Sequence, residues 1–188
     1  MIVAMLDTNI WLDFVFIRHK SGEIPKRLKR SNELRQLLSK ERFVPTISKW
    51  NLWEFRDVFT RYLLEKRAFE EGYFPIEFRY VRDEVRLTEE DKMYLENVLE
   101  TIRKQSIYHT SQIRITIVQA LIDTGMSMMD AILLYQAIKN PYCRFFVTRD
   151  NKLCKTWQAI RTYLPKGMNF ELLKLREFIE LLNKSKKQ

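Results

Sequence analysis

Short apolar runs alternate along the chain with longer stretches in which apolar residues recur at helical spacing. The first run, Ile2 to Leu6, is wholly apolar, which is typical of a short strand buried on both faces. Strands are predicted over residues 2–6, 42–47, 143–148 and 168–173. Helices are predicted over residues 9–17, 31–40, 49–71, 88–105, 111–124, 127–139, 151–164 and 175–183. This alternation predicts an α/β sandwich around a mainly parallel sheet.

Local signals refine three of these boundaries. Ser31 or Asn32 is expected to cap the second helix, and Thr88 opens a later helix with a pattern like a capping box. Gly72 ends the long helix that begins near residue 49. Apolar side chains then occupy alternate positions at Phe74, Ile76, Phe78 and Tyr80. The alternation predicts an exposed edge strand or a hairpin arm.

The composition narrows the class of protein. The chain has 188 residues, 46% of them hydrophobic, which suits one compact domain, and its net charge of +9 favours a polyanionic partner such as nucleic acid. Cys143 and Cys154 form no CxxC pair, and His19 lies far from His109. Disulfides, zinc and a histidine-based triad are therefore not expected. The two cysteines without a disulfide pattern favour a reducing cytoplasm, and no apolar run reaches the length of a membrane span.

Two acids follow predicted strands. Asp7 ends the first strand in Leu6-Asp7-Thr8-Asn9, and Asp150 ends a later one in Thr148-Arg149-Asp150. Ligands of open α/β sheets bind beyond the carboxyl ends of the strands, so both acids fall where chemistry is expected. Each acid could instead simply cap the helix that follows it.

Two further acids lie near the starts of helices that look buried. Glu54 has Trp50 and Val58 at i−4 and i+4, so it shares an apolar face, where a bare charge is costly. The alternative is a boundary residue that is solvated or paired with a nearby arginine. Asp130 is surrounded by apolar residues, but with Ser127 it also fits a capping box.

The four acids together suggest more than each does alone. Four carboxylates in one cleft would repel one another, and a divalent cation resolves that conflict. Oxygen-only ligation selects Mg²⁺ or Mn²⁺. Such a site suits phosphodiester hydrolysis, because the metal activates water and offsets charge on the phosphate. Three other acids, Asp13, Asp57 and Asp123, rank second as outer or surface groups.

The ordered set of acids resembles the PIN-domain nucleases. The resemblance covers nearly the whole chain and implies a three-layer α/β/α sandwich, a metal-dependent endoribonuclease and an acidic quartet formed by Asp7, Glu54, Asp130 and Asp150. It implies that the quartet binds Mg²⁺ or Mn²⁺, and that Asn9 and Thr148 are auxiliary polar residues. The single domain would cover residues 1–184, with an insertion at about 67–110 and a frayed tail at 185–188.

Stand-alone members of that family resemble VapC-like toxins, which implies a homodimer restrained by a small antitoxin. The inserted segment and the long basic loop at 18–30 depart from that compact pattern. A housekeeping RNA-processing nuclease therefore stays open as an alternative role.

The basic residues suggest where RNA would bind. The expected contacts are Lys20, Lys26, Arg27, Lys29, Arg30, Arg61, Lys152 and Lys155. Any one of them could instead be an ordinary solvated charge. The charge also fits a binding module that holds RNA or protein without catalysis. A phosphatase of the haloacid-dehalogenase type is a weaker option, because Asn9 stands where its second Asp belongs.

Overall fold

The computed structural model describes residues 1–18, 23–161 and 169–185. Within these ranges the chain forms five strands and nine α-helices, with a 3-10 turn at Lys26–Leu28 before the second helix. The strands are β1 (Val3–Leu6), β2 (Val44–Ile47), β3 (Ile107–Tyr108), β4 (Phe145–Thr148) and β5 (Glu171–Lys174). The helices are α1 (Thr8–Arg18), α2 (Lys29–Ser39), α3 (Lys49–Glu70), α4 (Phe78–Val81), α5 (Glu89–Lys104), α6 (Ile115–Asp123), α7 (Met128–Lys139), α8 (Asn151–Ile160) and α9 (Leu175–Lys184).

The five strands form one parallel sheet in the order β3-β2-β1-β4-β5. The first strand lies in the middle, where Ala4 is in register with Pro45 of β2 and with Phe145 of β4. The chain builds outward from β1 through β2 and β3, and then returns to the other side of β1 with β4. The strand order therefore reverses between β1 and β4, which is where open α/β sheets place their ligands.

Helices cover both faces of the sheet. Alternate residues of β1 serve the two faces, since Ala4 and Leu6 belong to one core and Met5 belongs to the other. The first core is packed by α1, α2, α3, α5 and α9, and the second by α6, α7 and α8. The predicted α/β sandwich with a mainly parallel central sheet is thereby confirmed. None of the described helices combines the length and apolarity needed to cross a membrane.

The strand predicted over the alternating segment after Gly72 is wrong. The chain turns there and forms the short helix α4, in which the amide of Val81 donates to the carbonyl of Glu77 at 3.2 Å. Phe78 alone of the alternating side chains is buried, in a small cluster with Ala68 and Val85. Phe74, Ile76 and Tyr80 are exposed. Local hydrogen bonds satisfy this backbone, whereas a strand would have needed a neighbour.

Side-chain contacts also move two predicted helix starts. The second helix begins at Lys29, before the expected caps, and Ser31 lies inside it with its hydroxyl donating to Asp13. The helix predicted from residue 111 begins at Ile115, because the backbone of Ser111 bonds to the side chain of Gln136 at 2.7 and 2.8 Å. The two-residue strand β3 was not predicted.

The remaining predicted elements agree with the structure to within a few residues. The cap at Thr88 is confirmed, since its side chain and that of Asp91 exchange hydrogen bonds with each other's backbone amide. The last strand lies slightly later than predicted, at β5. Three parts of these predictions lie outside the described ranges: residues 162–164 of the helix predicted over 151–164, residue 168 of the last predicted strand, and residues 186–188 of the predicted tail.

Candidate metal centre

Asp7 lies at the carboxyl end of β1, where the strand order reverses. Its side chain is buried, and its backbone amide donates to the carbonyl of Val147 in β4 at 2.9 Å. The carboxylate atom Oδ2 accepts from Asn9 Nδ2 at 2.7 Å and from the hydroxyl of Thr148. Burial raises the pKa of Asp7 to about 6, and the charge of Asp130 adds to the rise while the hydrogen bond from Thr148 opposes it. Both auxiliary residues predicted from the sequence therefore contact this acid.

Glu54 approaches the same place from the second turn of α3. The helix starts with a capping box in which the amide of Ser48 donates to Asn51 Oδ1 at 3.1 Å, so its first turn is fixed. The hydroxyl of Thr8 donates to Glu54 Oε2. Sequence reasoning missed this role of Thr8, although the residue lies between the two that it named in Asp7-Thr8-Asn9. The hydrogen bond ties the start of α1 to α3.

The pKa of Glu54 shows that three of the predicted acids share one electrostatic environment. This pKa is raised to about 7, chiefly by burial; the hydrogen bond from Thr8 opposes the rise, and the charges of Asp7 and Asp130 contribute to it. Asp130 acts in the same direction on the pKa of Asp7. Asp7, Glu54 and Asp130 therefore form one cluster, which we call the acidic cluster.

Asp130 also takes part in a helix cap. It lies in the first turn of α7, where its amide donates to Ser127 Oγ at 3.1 Å. The same hydroxyl donates to Asp130 Oδ2 at 2.6 Å. The prediction is confirmed for the Ser127 cap, whereas the bond from the Ser127 amide that would complete a capping box is absent among the described residues. The cap fixes the carboxylate that raises the pKa values of Asp7 and Glu54.

Asp150 is held differently from the other three acids. It is the N-cap of α8, and its Oδ1 accepts from the amides of Lys152 at 2.6 Å and Leu153 at 3.1 Å. Its own amide donates to Thr148 Oγ1 at 2.9 Å. Thr148 therefore joins the Asp150 backbone to the Asp7 carboxylate, while the Asp150 carboxylate serves the helix.

The oxygen atoms of the acidic cluster suit a hard divalent cation, but they are not arranged as a complete coordination shell. Among the described residues, no group of three or more His, Cys, Asp or Glu side chains could hold a metal ion as arranged. The acidic cluster offers only oxygen atoms, which Mg²⁺ and Mn²⁺ prefer. Asn9 Oδ1 is also buried without a hydrogen-bond partner in the described part of the chain. A cation would offset both the burial of charge and the repulsion that together raise the pKa values of Asp7 and Glu54.

The three second-ranked acids divide between the surface and the interior. Asp57 is exposed and pairs with Arg61 at 3.0 Å, and Asp123 accepts from Gln119 Nε2 at 2.8 Å. Asp13, in contrast, is buried in α1. Its burial was not predicted.

The predicted RNA-contacting residues are mainly exposed. Lys26, Arg27, Lys29 and Arg30 lie on the surface at and just before the start of α2, and Lys152 and Lys155 lie on the surface of α8. The charge of Arg61 is partly offset by its ion pair with Asp57. Lys20 lies outside the described residues.

The sequence matches no established family model and no curated protein at a significant level.

Proposed function

We propose that this chain is a Mg²⁺- or Mn²⁺-dependent endoribonuclease that hydrolyses phosphodiester bonds in RNA. The observation that carries the proposal is the acidic cluster itself. The charges of Asp7 and Asp130 add to the cost of ionising Glu54, and the charge of Asp130 adds to the cost of ionising Asp7, at the position where this fold class binds ligands. A divalent cation would offset that cost, and the net charge of +9 would attract the RNA.

Each acidic residue has a role in the proposed reaction. The acidic cluster would hold the cation, and Asp150 would add its Oδ2, since both of its cap hydrogen bonds go to Oδ1. A bound cation supplies positive charge that offsets the charge developing on the phosphate and acidifies water. The carboxylates are oriented by four neutral side chains: Thr8, Asn9, Ser127 and Thr148.

Cleavage of a labelled single-stranded RNA oligonucleotide tests the proposal. We expect cleavage with Mn²⁺ or Mg²⁺, no cleavage with excess chelator, and at least a hundredfold loss of rate in Asp7→Asn, because that change removes the most buried carboxylate of the cluster. Asp123→Asn is the matched control, since it neutralises an exposed acid on α6 and should cleave at the wild-type rate. Wild-type rates in Asp7→Asn, or cleavage that persists in chelator, would overturn the proposal.

A second function has some support from the charge of the molecule. A module that binds RNA without cutting it would also use the exposed basic side chains near α2 and α8. It would bind RNA in a salt-dependent way whether or not Asp7 is present, and it would show no metal-dependent turnover. A toxin dimer restrained by a small antitoxin and an RNA-processing enzyme would both use the proposed nuclease site.

A further inference from the structure

A second buried ionic group lies on α1, the helix that begins directly after Asp7. Asp13 in α1 is 4% exposed. Its Oδ2 atom accepts from the hydroxyl of Ser31 in α2 and pairs with Arg149 Nη1 at 2.8 Å. These contacts join α1, α2 and the loop between β4 and α8.

The geometry of α1 places Asp13 about one helical turn from Asn9, which contacts Asp7. Asn9 and Asp13 are four positions apart, so they lie on the same face of α1. The amide of Asn9 contacts Asp7, and the carboxylate of Asp13 contacts Arg149. Arg149 also lies between Thr148 and Asp150 in the chain. The guanidinium is therefore fixed beside the carboxyl end of the strands that form the site.

Arg149 covers the buried carboxylate and keeps one side towards solvent. The Asp13 side chain is 6% exposed, whereas that of Arg149 is 36% exposed. The ion pair uses Nη1, and a guanidinium carries donors on two further nitrogens in a planar fork that matches phosphate.

The charge around Asp13 favours an anion. Arg27, exposed just before α2, is a second positive charge that acts on Asp13. Two arginines around one carboxylate leave a net positive group beside a negative cluster. A polyanion that brings a phosphate to the acidic cluster would meet this positive group next to it.

We infer that Arg149, held in place by Asp13, binds a phosphate of the RNA next to the bond that is cut. Arg149 is then a substrate-binding residue and Asp13 is a positioning residue. The inference rests on the proposed nuclease function for the meaning of the neighbouring phosphate. The three residues after Val147 thereby serve three purposes, since Thr148 orients Asp7, Arg149 binds substrate and Asp150 caps α8.

RNA binding tests this inference without relying on turnover. Each variant is made in Asp7→Asn, and its affinity for a single-stranded RNA oligonucleotide is measured from 50 to 200 mM salt, roughly the range over which phosphate contacts are resolved. Arg149→Met alone would leave Asp13 buried without its counter-charge and could unfold the chain. The main variant is therefore Asp13→Asn with Arg149→Met, which removes both charges together. Arg103→Met is the control. Arg103 is exposed near the end of α5, which leads into β3, so it lies at the amino-terminal ends of the strands, away from the carboxyl ends that carry the site.

We expect the double variant to bind about tenfold more weakly and its salt slope to shrink by about 0.7, the value for one phosphate contact on a single strand. Arg149→Lys should keep the slope and lose several-fold in affinity, since lysine lacks the fork. Asp13→Asn alone should weaken binding, and this effect should vanish when Arg149 is Met. Control affinity should equal that of the Asp7→Asn parent.

Parent-like affinity and slope in the double variant would overturn the role of Arg149, and tighter binding in Asp13→Asn would overturn the positioning role of Asp13. These outcomes are separable from failure of the proposed function. A wild-type chain that never cleaves RNA, but whose binding depends on Arg149 as expected, contradicts only the hydrolysis. A chain that cleaves RNA but binds it independently of Arg149 contradicts only this inference.

Discussion

Two threonine hydroxyl groups favour the ionised forms of Glu54 and Asp7 in the acidic cluster. Thr8 donates to Glu54, and Thr148 donates to Asp7. Each bond favours the charged carboxylate, yet burial and mutual repulsion outweigh it, because both pKa values remain raised. The cluster therefore makes the folded state less stable than a neutral cluster would, as is common where function requires charge in a confined space.

Glu54→Gln should stabilise the protein when no divalent cation is present. The pKa of Glu54 rises from 4.5 to about 7 on folding, so the folded state holds its proton more tightly than the unfolded state does. Its stability penalty is absent below the unfolded pKa and grows as the pH rises through the folded pKa. We expect a gain on the order of 1 kcal/mol at pH 8, allowing for solvent screening, and little gain at pH 4.5. Urea unfolding with chelator at the two pH values measures this, and an equal gain at both would contradict it.

At the scale of elements, helix starts converge on the site. α1 begins directly after Asp7, α7 carries Asp130 in its first turn, and α8 is capped by Asp150. The amino-terminal end of a helix carries a partial positive charge, which favours nearby carboxylates. The parallel sheet produces this arrangement, because α1 and α8 each follow a strand and so start at its carboxyl end, and α7 starts at the same end because it runs back to the amino-terminal end of β4.

The end of α2 contains a correctable local strain. Glu41 has a φ of 54°, and its amide donates to Leu38 while that of Arg42 donates to Leu37, as in a helix that ends with a left-handed residue. Glycine adopts this conformation without steric cost. Glu41→Gly should therefore raise the free energy of unfolding by about 0.5–1 kcal/mol in urea titrations. Glu41→Ala is the control and should show no gain, so equal stability of the two variants would argue against strain at this position.

The sequence could indicate single elements better than contacts between them. The apolar run before Asp7 and the cap at Ser127 are local signals, and both correspond to what the structure contains. The bond from Thr8 to Glu54 and the ion pair of Arg149 with Asp13 each join residues far apart in the chain. Such pairs depend on how helices pack. The strand predicted from the apolar alternation after Gly72 was wrong for the same reason, since a strand requires a neighbouring strand.

At the scale of the whole molecule, the net charge of +9 should make RNA binding strongly dependent on salt. The exposed basic group at the start of α2 comprises Lys26, Arg27, Lys29 and Arg30. If all four contact phosphates, replacing them with glutamine in Asp7→Asn should reduce the salt slope by about 3. The control replaces Lys92 and Lys104 of α5, which are exposed and ion-paired on their own helix. An equal change of slope per charge removed in the two variants would mean that the charge acts only in bulk.

The central position of β1 in the sheet also determines when the site can form during synthesis. β4, a direct partner of β1 in the sheet, follows it about 140 residues later along the chain. At roughly 5–20 residues per second, the ribosome needs on the order of ten seconds to add that stretch. Asp7 can form its hydrogen bond with Thr148 only after that delay. Under the proposed nuclease function, a nascent chain would therefore leave nearby RNA uncut until β4 had emerged from the ribosome.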